Sequence, residues 1–143
     1  MKSTLRNSGI ALFSVVALFL VWFGVTYLRA ETMLWFHAAA VPERAREDAL
    51  PIYRALMNLI GGSSAGLGVL CLYLIWSPLQ RGARWAGGVL LAVLTGVFTV
   101  AAITAEELHA ETGAPTSWHI MGVLIALSVI AFATHAASFG KNE

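Results

Sequence analysis

Charge is scarce in this sequence. Asp, Glu, Lys and Arg together make up 12% of its 143 residues, about half the share that soluble domains carry. The balance is near neutral, with nine basic residues against eight acidic ones. No basic cluster interleaved with aromatics occurs, so nucleic-acid binding is excluded. Cysteine is nearly absent: Cys71 stands alone inside an apolar run. An intrachain disulfide, a CxxC pair and a Cys/His zinc spacing are therefore all ruled out, and Cys71 reads as a small residue packed in a membrane helix. There is also no HExxH, no phosphate-binding glycine loop and no nucleophile motif.

Long apolar runs fill the space that charge leaves. The hydrophobic share is 58% and the mean hydropathy is +0.74. A helix needs about 20 apolar residues to cross a bilayer, and counting between charges gives four candidates, at about 9–28, 53–77, 85–107 and 117–138. They nearly exhaust the sequence and predict a single transmembrane domain: an all-α, integral membrane four-helix bundle. Lys2 and Arg6 before the first run resemble the start of a signal peptide. The run is longer than an h-region, and "TYLRAETM" is a poor cleavage site, so it reads as a retained helix.

Orientation follows from the basic residues. Lys2, Arg6, Arg81, Arg84 and Lys141 fall on one side with a single acid, Glu143. Arg29, Arg44, Arg46 and Arg54 fall on the other with seven acids. The short second loop, "SPLQRGAR", is purely basic, which places both termini in the cytoplasm and the two polar loops outside. Trp35, Trp76, Trp85 and Trp118 lie near span ends, as an interfacial belt requires, while Trp22 is well inside the first span.

Close backbone approach drives helix packing in lipid. "GGSSAGLG" in span two sets small residues four apart, at Gly62/Gly66, Ser64/Gly68 and Gly61/Ala65. Span three aligns Gly88, Ala92 and Gly96. The two stripes are the expected contact faces of an antiparallel pair joined by the short loop, with a homo-oligomer interface as the alternative use. Glycines also permit a break in the helix, as in transporters, but no charged residue sits at the same depth here.

The outward polar residues are the candidates for function. In the first outer loop, Pro42 and Pro51 suit first helical turns, and "ERAREDAL" reads as a solvated turn or short helix. Arg54 and Asn58 share one helical face at the outer end of span two. Arg54 either snorkels to headgroups or faces the bundle and pairs with Glu31, Glu106 or Glu107. Span three is expected to end near Ala105, which puts Glu106, Glu107 and His109 at a helix C-terminus, where the macrodipole disfavours anions. Glu107 and Glu111 become neighbours only if the helix continues through Ala110. "GAP" at 113–115 then turns the chain, and Thr116 or Ser117 caps span four, with His119 on its first turn.

Glu106 and His109 form one Glu-x-x-His, whereas a di-iron bundle needs two such motifs and further carboxylates. A mononuclear metal site drawing on His37, His109, His119 and a glutamate is chemically reasonable. Haem fits less well, because His37 and His109 lie past the ends of their spans; His135, near the opposite face, reads as a packed histidine. Acid–base chemistry would fall to Glu106 or Glu107 beside Arg54.

Four spans in this length, the "ETGAP" loop before span four, the glycine-rich "GGSSAGLGVL" and the following "RGARWAGG" resemble small bacterial membrane proteins of the DoxX-like type. The resemblance implies a four-helix bundle and an accessory role in membrane redox systems, and it transfers no catalytic residue. The leading expectation is an accessory or ligand-binding subunit of an inner membrane, acting with a partner complex or as a homo-oligomer. Its outward pocket would be lined by Glu31, His37, Arg54, Asn58, Glu106, Glu107, His109 and His119. A membrane enzyme acting on a lipid or quinone-like substrate is the second reading, and metal or haem binding the third; no cofactor is specified.

Overall fold

The computed structural model describes residues 2–139, and these contain helices and no strand. Four helices are long: α1 (Lys2–Leu28), α3 (Arg46–Leu74), α4 (Arg84–Thr112) and α5 (His119–Ala137). The connection between α1 and α3, at the end expected to face outward (the outer end), holds a one-turn helix, α2 (Trp35–Ala38), and a 3₁₀ turn at Glu43–Ala45. Even α5, the shortest at 19 residues, rises about 28 Å, enough for a hydrocarbon core. All four are apolar enough to cross a membrane. The chain is a small polytopic membrane protein. Lys141 and Glu143, counted above on the inner side, lie outside the described residues.

Several helix ends differ from the expected ones, because a span ends where charge begins but a helix does not have to. α4 continues through Glu106, Glu107 and Glu111 to Thr112, so Glu107 and Glu111 do share a face. Gly113 stops it in the left-handed conformation at φ 68°, and its N–H reaches the His109 carbonyl oxygen at 2.8 Å, a glycine C-cap. Pro42 does precede the 3₁₀ turn, but Pro51 lies inside α3 rather than in its first turn. "ERAREDAL" forms the 3₁₀ turn and the opening of α3. At the inner end Pro78 withholds an N–H from the helical ladder. The chain responds with a π-helical turn over Ile75–Leu79, in which the Gln80 N–H donates to the Ile75 carbonyl oxygen at 3.2 Å.

Neighbouring long helices run antiparallel, and α1 has the central position. It packs extensively on α3 and on α5, and α5 in turn packs on α4. The expected pairing of α3 with α4 through their glycine stripes does not occur. A Cβ placed on Gly66, Gly88 or Gly96 would meet nothing within 4 Å. Gly61 and Ala65 instead face Gly24 of α1: a Cβ on Gly61 would stand 2.7 Å from the Gly24 carbonyl oxygen, and one on Gly68 would stand 2.9 Å from the Val21 N. The glycines thus bring α3 onto α1, and the short inner loop connects two helices that touch mainly through the π-helical turn.

The core lies toward the inner half. Phe13, Val16 and Leu20 of α1 meet Ile75 and Leu79, Leu90 and Leu94 of α4, and Ala131 of α5, all at most 1% exposed. Beyond Phe98 no residue of α4 is buried. The outer third of α4 therefore stands apart from α3, and this decides how the outward polar residues are distributed.

Candidate functional site

The eight outward candidates divide into two groups. The first sits where α1 ends against α3. Arg54, two turns into α3, donates from Nε to the Glu31 carbonyl oxygen at 2.6 Å. The guanidinium thereby closes the loop that leaves α1, and its expected carboxylate partner is replaced by a backbone oxygen. Leu28, Arg29, Ala30, Glu31, Arg54 and Asn58 line one open groove of about 710 Å³. Three sequence candidates, Glu31, Arg54 and Asn58, thus converge. Arg29 joins them and was not singled out from the sequence, although the signal was there: Arg29 is the first charge after span one, and Arg54 is the last before the uncharged run of span two.

His37 belongs to a strap beside this groove. The Leu34 N–H donates to the Tyr53 hydroxyl at 3.1 Å, and His37 Nδ1 lies 2.9 Å from the same hydroxyl. The His37 ring meets Tyr27 and Tyr53 edge-on, at centroid distances of 5.9 and 5.6 Å. Burial pushes the imidazole below its ordinary pKa of 6.5, since the enclosed site disfavours charge. The Tyr53 oxygen accepts from Leu34 and shares its second hydrogen bond with Nδ1 of the ring. Tyr53 is the residue that sequence reasoning missed, because an aromatic at a span end already has an interfacial explanation.

The second group lies on α4 and the loop after it. His109 donates from Nδ1 to the Ala114 carbonyl oxygen at 2.8 Å, and the Thr116 hydroxyl donates to the Ala105 carbonyl oxygen at 2.7 Å. Thr116 therefore does not cap α5. It ties the loop back onto α4, where Ala114 is buried. Ser117 does not cap α5 either, since Trp118 holds the N-cap position without a side-chain cap bond; the Ser117 hydroxyl accepts from the His119 N–H at 3.2 Å and bonds the His119 ring. His119 also stacks on Trp118 at 4.5 Å. Glu106 and Glu107 are exposed on α4 and do not line the groove.

Among the described residues, no three His, Cys, Asp or Glu side chains stand close enough together to hold a metal ion. His37, His109 and His119 are engaged separately, with Tyr53, Ala114 and Ser117. His135, at the inner end, is 1% exposed. It occupies a slot left by two glycines: a Cβ on Gly9 would be 3.1 Å from its Cβ, and one on Gly87 3.0 Å from its Cδ2. Neither ring nitrogen has a hydrogen-bond partner among the described residues.

With this geometry in view, comparison with known protein families, with curated proteins and with solved structures finds no match for the chain. Arguments about function therefore rest on the site itself.

Proposed function

We propose that this chain is a non-enzymatic binding protein of a bacterial-type inner membrane, an accessory subunit that presents an outward groove to an anionic ligand. The observation that carries the reading is the groove: Arg29 and Glu31 of the loop after α1 and Arg54 and Asn58 of α3 line one surface. Arg54 is anchored through Nε, which leaves its two terminal nitrogens to donate to a ligand. Orientation rests on Arg6, Arg81 and Arg84 at the opposite end. Around Glu106 and Glu107 nothing comparable gathers, and the enzyme reading gains no support from them.

The test is to purify the protein in a mild detergent and detect bound small molecules by native mass spectrometry. Wild type and the Glu106→Gln/Glu107→Gln variant should retain the same bound species, and Arg54→Ala should lose it. Equal retention in all three would overturn the groove as the binding site. Orientation is checked by attaching an impermeant thiol reagent to a cysteine placed at Glu107 in intact cells. Cys71 is buried and gives little background, so absence of labelling would reverse the topology.

A further inference from the structure

We propose that the ligand of this groove is an acidic glycerophospholipid, its phosphate between Arg29 and Arg54 and its glycerol ester region at Asn58. The inference rests on the groove being the binding site.

The first argument is depth. The inner membrane boundary on α3 is marked by exposed Trp76 and the turn that follows Leu79. About 20 residues at 1.5 Å each span the hydrocarbon, which brings the outer boundary close to Asn58. An independent count along α1 agrees. Leu28 packs beside Gly61, while Gly9, at the other end of the same span, packs beside His135. Arg54 is one turn, or about 6 Å, further out than Asn58. Along the membrane normal the groove therefore presents a guanidinium, then an amide, then the apolar Leu28. A diacyl phospholipid has the same order: phosphate, ester, chain. Asn58 is exposed at the edge of the hydrocarbon, where a polar group without a partner is costly. The ester oxygens of a lipid supply that partner; a soluble ligand does not reach the same depth.

Charge and shape are the second argument. The lining carries Arg29 and Arg54 against Glu31, a surplus of one positive charge, which matches a headgroup of net charge −1. Glu31 accepts hydrogen bonds from headgroup hydroxyls, as in phosphatidylglycerol. The groove is open on one side. A small soluble anion would bury little of itself there, whereas a lipid needs only its head held because the bilayer accommodates its chains. Arg54 as a mere snorkelling cation would serve equally well as lysine. A bidentate phosphate site would not.

The experiment is lipid titration with native mass spectrometry readout. Purified protein is offered dioleoyl phosphatidylglycerol or dioleoyl phosphatidylcholine, with and without excess glycerol 3-phosphate. Phosphatidylglycerol should bind about tenfold more tightly or better, since its headgroup hydroxyl gives the Glu31 carboxylate a charge-assisted hydrogen bond that phosphatidylcholine does not offer, and one such bond is worth that much. Arg54→Ala, Arg54→Lys and Asn58→Leu should each weaken phosphatidylglycerol binding, with thermal unfolding confirming that the variants remain folded. Glycerol 3-phosphate should compete poorly. Strong competition by it would overturn the lipid assignment in favour of a soluble phosphate. Equal binding of the two lipids overturns it as well. If Arg54→Ala nevertheless strips another co-purifying species, the groove stands and only the lipid falls; if it strips nothing, both fall.

Discussion

Replacing Gly24 by alanine tests the arrangement of the bundle directly. A Cβ there would lie 2.6 Å from the Gly61 carbonyl oxygen, and nearer still to the Ala65 N. Carbon and oxygen normally approach to about 3.3 Å, so the shortfall is about 0.7 Å. Both obstacles are backbone atoms and cannot rotate aside. The helices must separate by about that distance, which forfeits roughly a quarter to a half of the dispersion well at each close contact. Overpacking of this kind costs about 1–3 kcal/mol, and the rigid obstacles favour the upper half of that range. Alanine's better helix propensity offsets at most about 1 kcal/mol. Even that gain shrinks in detergent, where the unfolded chain retains helix.

The net expectation for Gly24→Ala is a loss of about 2 kcal/mol. Gly66→Ala, which meets nothing within 4 Å, should change stability by less than about 0.5 kcal/mol. The assay is reversible unfolding in mixed micelles with increasing SDS, followed by circular dichroism. The comparison is demanding because Gly24, Gly66 and Gly88 look alike in sequence. The reasoning is refuted if Gly24→Ala matches Gly66→Ala. It also fails if Gly88→Ala is as costly as Gly24→Ala, because α4 would then be using its stripe against a neighbour.

Two further perturbations follow from the histidines. Tyr53→Phe removes both bonds to the strap, each worth about 1 kcal/mol, and should speed hydrogen exchange at Leu34; unchanged exchange would mean the strap is held elsewhere. The strap is also pH-sensitive. Burial lowers the pKa of His37 in the folded state, so its stability contribution is full above the unfolded value of about 6.5 and is lost as pH falls through that value toward the folded one. Exchange at Leu34, corrected for the intrinsic rate, should rise on acidification in wild type and stay flat in Tyr53→Phe. At the inner end, Gly87→Ala presses on the His135 ring at 3.0 Å and should destabilise wild type but not a His135→Ala background. Equal cost in the two backgrounds would place the strain elsewhere.

The four spans were legible because charge is excluded from hydrocarbon, and gaps between charges mark them directly. Pairing was not legible. The SPLQRGAR loop suggests that spans two and three are neighbours, and both carry small residues four apart, but spacing cannot say which glycine meets which backbone. Gly61 and Gly62 are adjacent in sequence, yet only Gly61 presses on the α1 backbone, whereas Gly62 reaches no more than the Leu28 side chain at 4.0 Å. The site was half legible for a related reason. Polar residues at the outer ends stood out by type, and Glu31, Arg54 and Asn58 do converge. The remainder depended on α4 lying against α3, and without that contact Glu106 and Glu107 stay at the surface. His109 stood out as a titratable group, yet its role is to hold the turn after α4 through the Ala114 carbonyl.

The uneven packing itself bears on function. Phe13, Leu79, Leu90 and Ala131 close the inner half into a continuous core, whereas the outer half is held by the α1–α3 seam and by a few hydrogen bonds at Arg54, Tyr53 and Thr116. Segments with few buried contacts open at lower free energy than the core. A ligand bound at the outer end therefore acts on the part of the molecule that is least fixed. Because Arg54 holds the loop after α1 through the Glu31 carbonyl, any group that engages its guanidinium also bears on that loop and, through Leu34 and Tyr53, on the strap beside it. On the proposed reading, a ligand that engages Arg54 is therefore linked to the order of the first outer loop.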